Sequence, residues 1–358
     1  RLYYDSDIYK INFDLNGAEG EVPGSQSIPY GGYADKVAEP ERRGYHFMGW
    51  FTDDQGMEEN RWDFDTRVEE NCPKDTADQN GIYEVTLYAR WVDETAPVLE
   101  EISFSRGYVN LRNWIIRKKN LVITVPIFEE GSGVKQLDYK VSAAGGASRQ
   151  ESSEDGTALL QSNEKAAAGI IEIPESRKGR NLFYGVLTPN QGEFSAGKIQ
   201  LLMKGGQIFA KITVSEDFKG NIGLTCMDNA GNVSSGKTIA ARGGGVIVED
   251  NAPEIEFSSR DGKLSQTFTH DVDVRVKVED DVDSSGEERI AGGIAAVTYQ
   301  LDKGREISVP EEEFTGDIVE SYEFEVEVSG AGKHVLRVTA VDHAGNTNTR
   351  RAQVDIGH

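Results

Sequence analysis

Two cysteines in 358 residues are too few for a disulfide framework, so packing rather than covalent stapling must hold this chain together. Cys226 sits on an inward position of an apolar alternation and is expected to pack as a small buried thiol. Cys72 lies in a polar stretch and is expected to be exposed; neither is expected to pair. Histidine is equally scarce. The five present (His46, His270, His334, His343 and His358) show no i, i+4 pair and no Cys/His spacing that would hold zinc. A Gly-x-Ser-x-Gly elbow, a phosphate loop and a dinucleotide fingerprint are all missing, and Gly243 to Gly245 lead into a polar junction instead of opening a helix. No apolar run approaches the roughly 18 residues of a membrane-crossing helix. The sequence opens at Arg1 in polar residues without a signal-peptide pattern; a mature stretch of a longer exported protein would open the same way, so this says nothing about destination.

Positive charge is also in deficit. The chain has 38 basic against 61 acidic side chains and a formal charge of −23, so a phosphate backbone or an anionic bilayer would be repelled. Nucleic acid and membrane insertion are therefore excluded as expectations. Acid-base catalysis needs two carboxylates held across a cleft, and so many acids offer no means of choosing a pair. No catalytic, cofactor-binding or metal-ligating residue is assigned, and the expectation is that the chain is not an enzyme.

What the sequence does have is glycine, 39 in all, and many short Val/Ile/Tyr/Thr runs broken by Gly, Asn, Asp and Ser, which argue for a mainly β protein of two or three domains. A repeat organises it. Asp-x-Ala-Gly-Asn occurs at Asp228 to Asn232 and again at Asp342 to Asn346, each closing an alternating strand whose inward residues correspond: Ile222, Leu224 and Cys226 with Leu336, Val338 and Ala340. The motif has the chemistry of a tight corner, with Asp to bond nearby amides and Gly and Asn to accept positive φ. Upstream, Ile208, Ala210, Ile212 and Val214 match Tyr322, Phe324, Val326 and Val328. Val134, Leu137, Tyr139 and Val141 match Ile294, Val297, Tyr299 and Leu301, and Asp93 to Pro97 matches Glu249 to Pro253. The first copy is longer, with an insertion over about 142–207 that is expected to add strands. Ala-Pro openings, a Tyr-bearing strand after Ser-Gly-Val or Gly-Gly-Ile, and the Asp-x-Ala-Gly-Asn corner together resemble the bacterial Ig-like domains of surface proteins and of secreted carbohydrate-active enzymes. That resemblance implies two Ig-like β-sandwiches, 93–248 and 249–358.

Residues 1–92 form a different unit, with Phe13, Phe47, Trp50, Trp62, Phe64, Tyr88 and Trp91 giving a small domain a large aromatic area to bury. The run Phe13 to Gly17, Tyr30-Gly31, Pro40, Gly44 to Trp50, Trp62 to Phe64 and Leu87 to Trp91 resembles the internalin-type B repeat, also called the Listeria-Bacteroides repeat. Ala18 and a longer loop at 71–81 depart from the pattern. The resemblance implies a β-grasp-like domain with a curved antiparallel sheet, one short helical segment and a role as spacer or interaction module.

Acids at the domain junctions, Asp93, Glu94, Glu249 and Asp250, and in the loop Asp280, Asp281 and Asp283, are oxygen donors of the kind calcium takes, although the loop lacks EF-hand spacing. Solvated loops are the plainer expectation. Alternating glutamates at 323–328 protect a sheet edge, and the basic run Arg112, Arg117, Lys118 and Lys119 offers contact to an acidic partner. The functional expectation is a monomeric, extracellular, cell-surface or cell-wall spacer and adhesion module that meets a host or bacterial surface protein or a glycan. The alternative is a set of accessory modules of a secreted carbohydrate-active enzyme. Short acidic linkers ending in proline suggest a semi-rigid rod.

Overall fold

The computed structural model describes residues 7–72, 82–143, 167–173, 183–187, 196–215, 217–240 and 243–357. Most of the loop at 71–81, and 144–166, 174–182 and 188–195 of the insertion, lie outside the described residues. The chain is mainly β, as the turn-punctuated sequence requires. It divides into two compact units: Arg1–Pro97 with Glu129–Gly133 and Asp228–Val233, and Val98–Phe128 with Val134–Met227 and Ser234–His358.

In the first unit, strands β1 (Ile8–Asp14), β2 (Gln26–Pro29), β3 (Tyr45–Phe51) and β4 (Ile82–Asp93) form one sheet in the order β2-β1-β4-β3, and a single helical turn, α1 (Val68–Asn71), precedes β4. The central pair corrects the antiparallel expectation. β1 and β4 run parallel, from Ile8 beside Ile82 to Asp14 beside Tyr88, because the connection between them is long enough to carry the chain back past β3 and α1. Period-2 alternation turns Tyr9, Ile11 and Phe13 inward with Val85, Leu87 and Ala89. Trp50, 3% exposed, stands edge-on to Phe13 at 4.9 Å and to Phe47 at 5.6 Å between ring centres. Trp62 is buried as well, and half-buried Trp91 donates its indole N–H to Leu15 O at 2.8 Å. At the Asn16-Gly17 turn both residues have positive φ (48° and 84°), and Asp14 Oδ1 accepts the Asn16 amide at 2.7 Å. Eight residues still separate this turn from β2, and the Asn16 side chain pins it to Asp54 O and Ala89 O. Cys72 corrects a second expectation. It is the residue after α1 and is packed with Val68 in the core, where burial pushes its thiol up to about 11 and leaves it a poor nucleophile.

The second unit contains the two repeated copies. The first copy runs through β5 (Val98–Leu99), β6 (Ser103–Phe104), β7 (Val109–Leu111), β8 (Trp114–Arg117), β9 (Leu121–Phe128), β10 (Val134–Ala143), β11 (Ala167–Glu172), β12 (Phe183–Leu187), β13 (Gly197–Lys204), β14 (Gln207–Val214), β15 (Phe218–Asp228), β16 (Lys237–Thr238) and β17 (Gly245–Val248). One sheet is ordered β12-β13-β14-β9-β5, with β6 beside β9; the other is β11-β10-β15-β17-β8-β7, with β16 beside β15. The second copy comprises β18 (Glu254–Ser259), β19 (Thr267–Phe268), β20 (Val272–Glu279), β21 (Ile294–Leu301), β22 (Ile307–Ser308), β23 (Ser321–Val328), β24 (Gly332–Asp342) and β25 (Thr347–Ile356). Its sheets are β18-β20-β23 and β19-β25-β24-β21-β22.

The orders correspond: β5-β9-β14 repeats as β18-β20-β23, and β10-β15-β17 as β21-β24-β25. Leu224 and Val338 both face inward, 2% and 0% exposed, into separate but like cores. The insertion does add strands, β11 beside β10 and β12 and β13 beyond β14. This changes how an edge is protected. β23 is an edge strand and exposes Glu323, Glu325 and Glu327, whereas its counterpart β14 is covered along its length by β13, from Val214 to Gln207.

A third apolar cluster joins the copies. Leu111, Ile116 and Ile247 are buried, with Trp114, Ile290, Ile318 and Ala344 packed against them, and the ion pairs Lys219–Glu320 (3.0 Å) and Arg112–Asp317 (3.6 Å) flank the seam. The basic run is thus largely spent internally. Arg117 donates to Ser105 O and Arg106 O, and Lys119 pairs with Asp250 at 2.8 Å.

One surface pair gives the second copy a pH-dependent element. Both ring nitrogens of His334 face acceptors, Asp302 Oδ2 at 2.9 Å and Gly330 O at 2.8 Å, an arrangement that only the imidazolium satisfies. The Asp302 carboxylate, then the Gly330 carbonyl, raise His334 above its ordinary 6.5, and the imidazolium holds Asp302 below its ordinary 3.8. A raised histidine stabilises fully below 6.5 and loses that contribution as pH climbs through its folded value; a lowered aspartate loses its contribution as pH falls below 3.8. Above pH 6.5 the urea midpoint of the parent is therefore expected to fall more steeply with rising pH than that of His334→Asn, the difference between the two slopes being the contribution of this pair.

Candidate functional site

Each Asp-x-Ala-Gly-Asn corner closes on itself. The Asn backbone N–H donates to one oxygen of the Asp (Asn232 to Asp228 Oδ1 and Asn346 to Asp342 Oδ1, both 2.8 Å), and the Asn side-chain amide donates to the other, again at 2.8 Å in both. Such turns ordinarily keep the carboxylate wet. Here Asp228 and Asp342 are 0% and 2% exposed, because each corner is folded over two further acids.

In the first unit those acids are Asp93, at the end of β4, and Glu129. One carboxylate oxygen from each of Asp93, Glu129 and Asp228 lies within 4.8 Å of the others. Backbone amides hold them in place: Thr95 N to Asp93 Oδ1 (2.9 Å), Ser132 N to Asp93 Oδ2 (2.6 Å) and Gly131 N to Glu129 Oε1 (2.6 Å). Asn232 Nδ2 also donates to Asp93 O at 2.9 Å. Gly131 is required by this closeness, since a Cβ there would sit 2.0 Å from Asp93 Oδ2. Among the described residues Glu129 Oε2 has no hydrogen-bond partner, and burial, assisted by the Asp93 and Asp228 charges, raises the Glu129 carboxyl.

The second unit repeats the arrangement with Glu249 in the place of Asp93 and Asp280 in the place of Glu129. Asn251 N donates to Glu249 Oε2 (2.7 Å), as Thr95 does to Asp93, and Gly293 N donates to Asp280 Oδ2 (2.8 Å), as Gly133 N does to Glu129 Oε1 (3.4 Å). Asn346 Nδ2 reaches Glu249 Oε1 and Oε2, both at 3.1 Å, in addition to Asp342. Glu249 and Asp280 are fully buried and Asn346 is 1% exposed. Burial raises all three carboxyls. Asp280 is pushed up to about 7, with the Asp342 charge as second cause, and Glu249 and Asp342 are both raised, Glu249 by burial and then by the Asp342 charge. Arg289 lies nearby but donates to the backbone oxygens of Asp280 and Ala252.

Of the acids singled out in the sequence, Asp93, Glu249 and Asp280 enter these centres. Glu94 is exposed 4.0 Å from His46, Asp250 pairs with Lys119, and Asp283 caps its own loop through Ser285 and Glu287. Glu129, Asp228, Asp342, Asn232 and Asn346 were not anticipated as a centre. The signal was available in the repeat itself, which preserves both the acid and the amide of the corner. Asp93 and Asp228 of the first centre are buried and Glu129 is half-buried, whereas all three acids of the second are buried; an all-oxygen donor set suits a hard cation.

Residues 9–90 match the model of the Listeria-Bacteroides repeat domain. A curated "Putative membrane protein" of Evansella cellulosilytica is 34% identical over 83 residues, 23% of this chain and 10% of that protein, so the chain spans about a tenth of this relative's length. Among solved structures, dimeric latent PorU from Porphyromonas gingivalis is similar over 76% of this chain and 25% of its own, at 12% identity and a TM-score of 0.23. Red sea bream transglutaminase is similar over 73% of this chain and 32% of its own, at 9% identity and a TM-score of 0.22. Likeness this weak bears neither on fold nor on function. The sequence pattern from Phe13 to Trp91 and the family model agree: residues 9–90 are a Listeria-Bacteroides repeat domain.

Proposed function

We propose that this chain is a non-catalytic module of a bacterial cell-surface or secreted protein, one that spaces and presents binding surfaces to a protein or glycan partner. Listeria-Bacteroides repeats belong to surface-associated proteins, which supports an extracellular setting. The reading of 93–248 and 249–358 as two Ig-like sandwiches in series is supported by their matching strand orders. The observation that carries the proposal is the apolar seam of Leu111, Ile116 and Ile247 against Ile290 and Ile318. A spacer must fix the direction in which successive domains point, and a dry seam flanked by ion pairs does that where a flexible linker would not.

The test uses the full chain, immobilised and probed with a glycan array and with bacterial and host surface-protein extracts, alongside a panel of polysaccharide and peptide substrates. Saturable binding without product formation is the expected result. Turnover of any substrate by this chain would refute the non-catalytic reading.

A further inference from the structure

We propose that the free edge of β25 at residues 351–354 is a docking groove for an extended peptide segment of a partner protein, one in which acidic and apolar side chains alternate. The inference goes beyond the spacer reading and does not depend on it. β24 pairs with β25 along its whole length, from Thr347 to Ile356. On the other side, β19 pairs only with Asp355 and Ile356. Towards the start of the strand, Asn348 Nδ2 donates to Pro253 O at 2.8 Å and Arg350 Nη1 to Ile255 O at 3.1 Å, so side chains alone tie β25 to β18. Between these two closures no strand lies beside β25 among the described residues. A groove of about 880 Å³ opens there, lined by Phe257, Leu264, Gln266, Arg351 and Gln353 among others. That size falls in the range of roughly 300–1,000 Å³ typical of binding sites.

The backbone decides what fits. Gly357 N donates to Phe268 O at 2.7 Å, and the hydrogen-bonding groups of a strand alternate sides, so Asp355, Gln353 and Arg351 direct theirs to this same edge. Gln353 and Arg351 thus offer their amides and carbonyls to the groove, which is what adding a strand to a sheet requires. Residues 351–354 span roughly 13 Å, so the guest is short. Its inward side chains would meet Phe257 and Leu264, half-buried residues that pack on the core of this copy. Its outward ones would stand beside the exposed Arg351 and Gln353. Charge selects these outward positions. Arg351 lies opposite Arg337, a like-charge pairing that costs stability. Arg337 is answered by Glu306 at 3.6 Å and by Gln300 Oε1 at 2.7 Å, whereas none of the described residues pairs with Arg351. Lys333 also lines the groove, and Asp355 is the one acid there, so cations are in excess at this edge of a chain whose net charge is −23. The opposite case is β23, where Glu323, Glu325 and Glu327 turn an acidic strand away.

The experiment uses the full chain and three labelled synthetic peptides: Thr-Glu-Val-Glu-Val-Glu-Thr, its counterpart with lysine for every glutamate, and the acidic peptide N-methylated throughout, which keeps the side chains and removes the backbone donors. Fluorescence polarisation is expected to show saturable binding of the first peptide alone. Arg351→Glu, an exposed substitution that also relieves the pairing with Arg337, should weaken that binding about tenfold or more. In the parent, the Arg351 and Gln353 amides should gain protection from hydrogen exchange when the peptide binds. No binding of the acidic peptide up to about 1 mM, equal binding of the lysine or N-methylated peptide, or amides left unprotected would each overturn the proposal. Dimerisation of the chain in sedimentation, abolished by Arg351→Glu, would give the edge to a second copy and overturn it too. None of these failures touches the result of the glycan and surface-protein screen, so the groove and the spacer reading stand or fall separately.

Discussion

Replacing Trp50 with alanine is expected to cost the first unit about 3–5 kcal/mol, the range for emptying a large aromatic site in a core. Trp50 is 3% exposed, and its ring is the shared partner of Phe13 on β1 and Phe47 on β3, so its removal leaves a hole where two strands of one sheet meet. A domain of some ninety residues has a small core and a correspondingly small margin of stability. The variant should therefore populate an unfolded sheet β1–β4 at temperatures where the second unit remains native. Calorimetry should show one early transition displaced, while proteolysis should cut within 1–92 and spare the remainder. Trp50→Phe, which keeps an edge-on ring, should recover more than half of the loss. A single transition that moves as a whole would show that the two units unfold together.

Asn346→Ala is expected to be the most damaging polar substitution, at about 3–5 kcal/mol when measured by urea denaturation in EDTA. The side chain donates to three carboxylate oxygens on two buried acids, and alanine takes the side-chain donor from Glu249 Oε1 and Asp342 Oδ2, while Asn251 N still meets Glu249 Oε2. Buried anions stripped of a partner bear the full cost of their dehydration. The comparison with Asn232→Ala is instructive, because Asn232 Nδ2 meets one carboxylate oxygen and one backbone carbonyl, so its loss strands a single charge. The expected order is therefore Asn346 before Asn232, by about 1–2 kcal/mol. Equal effects would mean that the corner's own turn, common to both, dominates over the acids behind it.

Much of this architecture is legible in the sequence because β structure with one buried face writes its orientation into alternate residues. Ile222, Leu224 and Cys226 and their counterparts Leu336, Val338 and Ala340 all face inward as their spacing demands. Even an apparent fault in the spacing carries information. Ile294 and Val297 are both buried although three residues apart, which an unbroken strand forbids, and a bulge between Ile294 and Ala296 absorbs the extra residue. What escaped was whatever depends on distant segments meeting. Nothing local announces that β1 and β4 pair in parallel, or that Cys72 is drawn under the sheet behind α1. The acidic centres escaped for the same reason. Asp228 and Asp342 carry sufficient turn chemistry to explain their presence, and only the folded chain places Glu129, or Asp280, behind them.

The two solutions to edge protection also bear on how the first copy can change over time. With β13 laid along it, β14 no longer needs a row of repelling side chains, and it carries Phe209, Lys211 and Thr213 where β23 carries Glu323, Glu325 and Glu327. Once such residues settle beneath a cover, losing the cover uncovers an adhesive strand. The extra strands and the glutamate-free face beneath them thus form a dependent pair: a chain trimmed of β12 and β13 is expected to self-associate through β14, as one trimmed elsewhere is not.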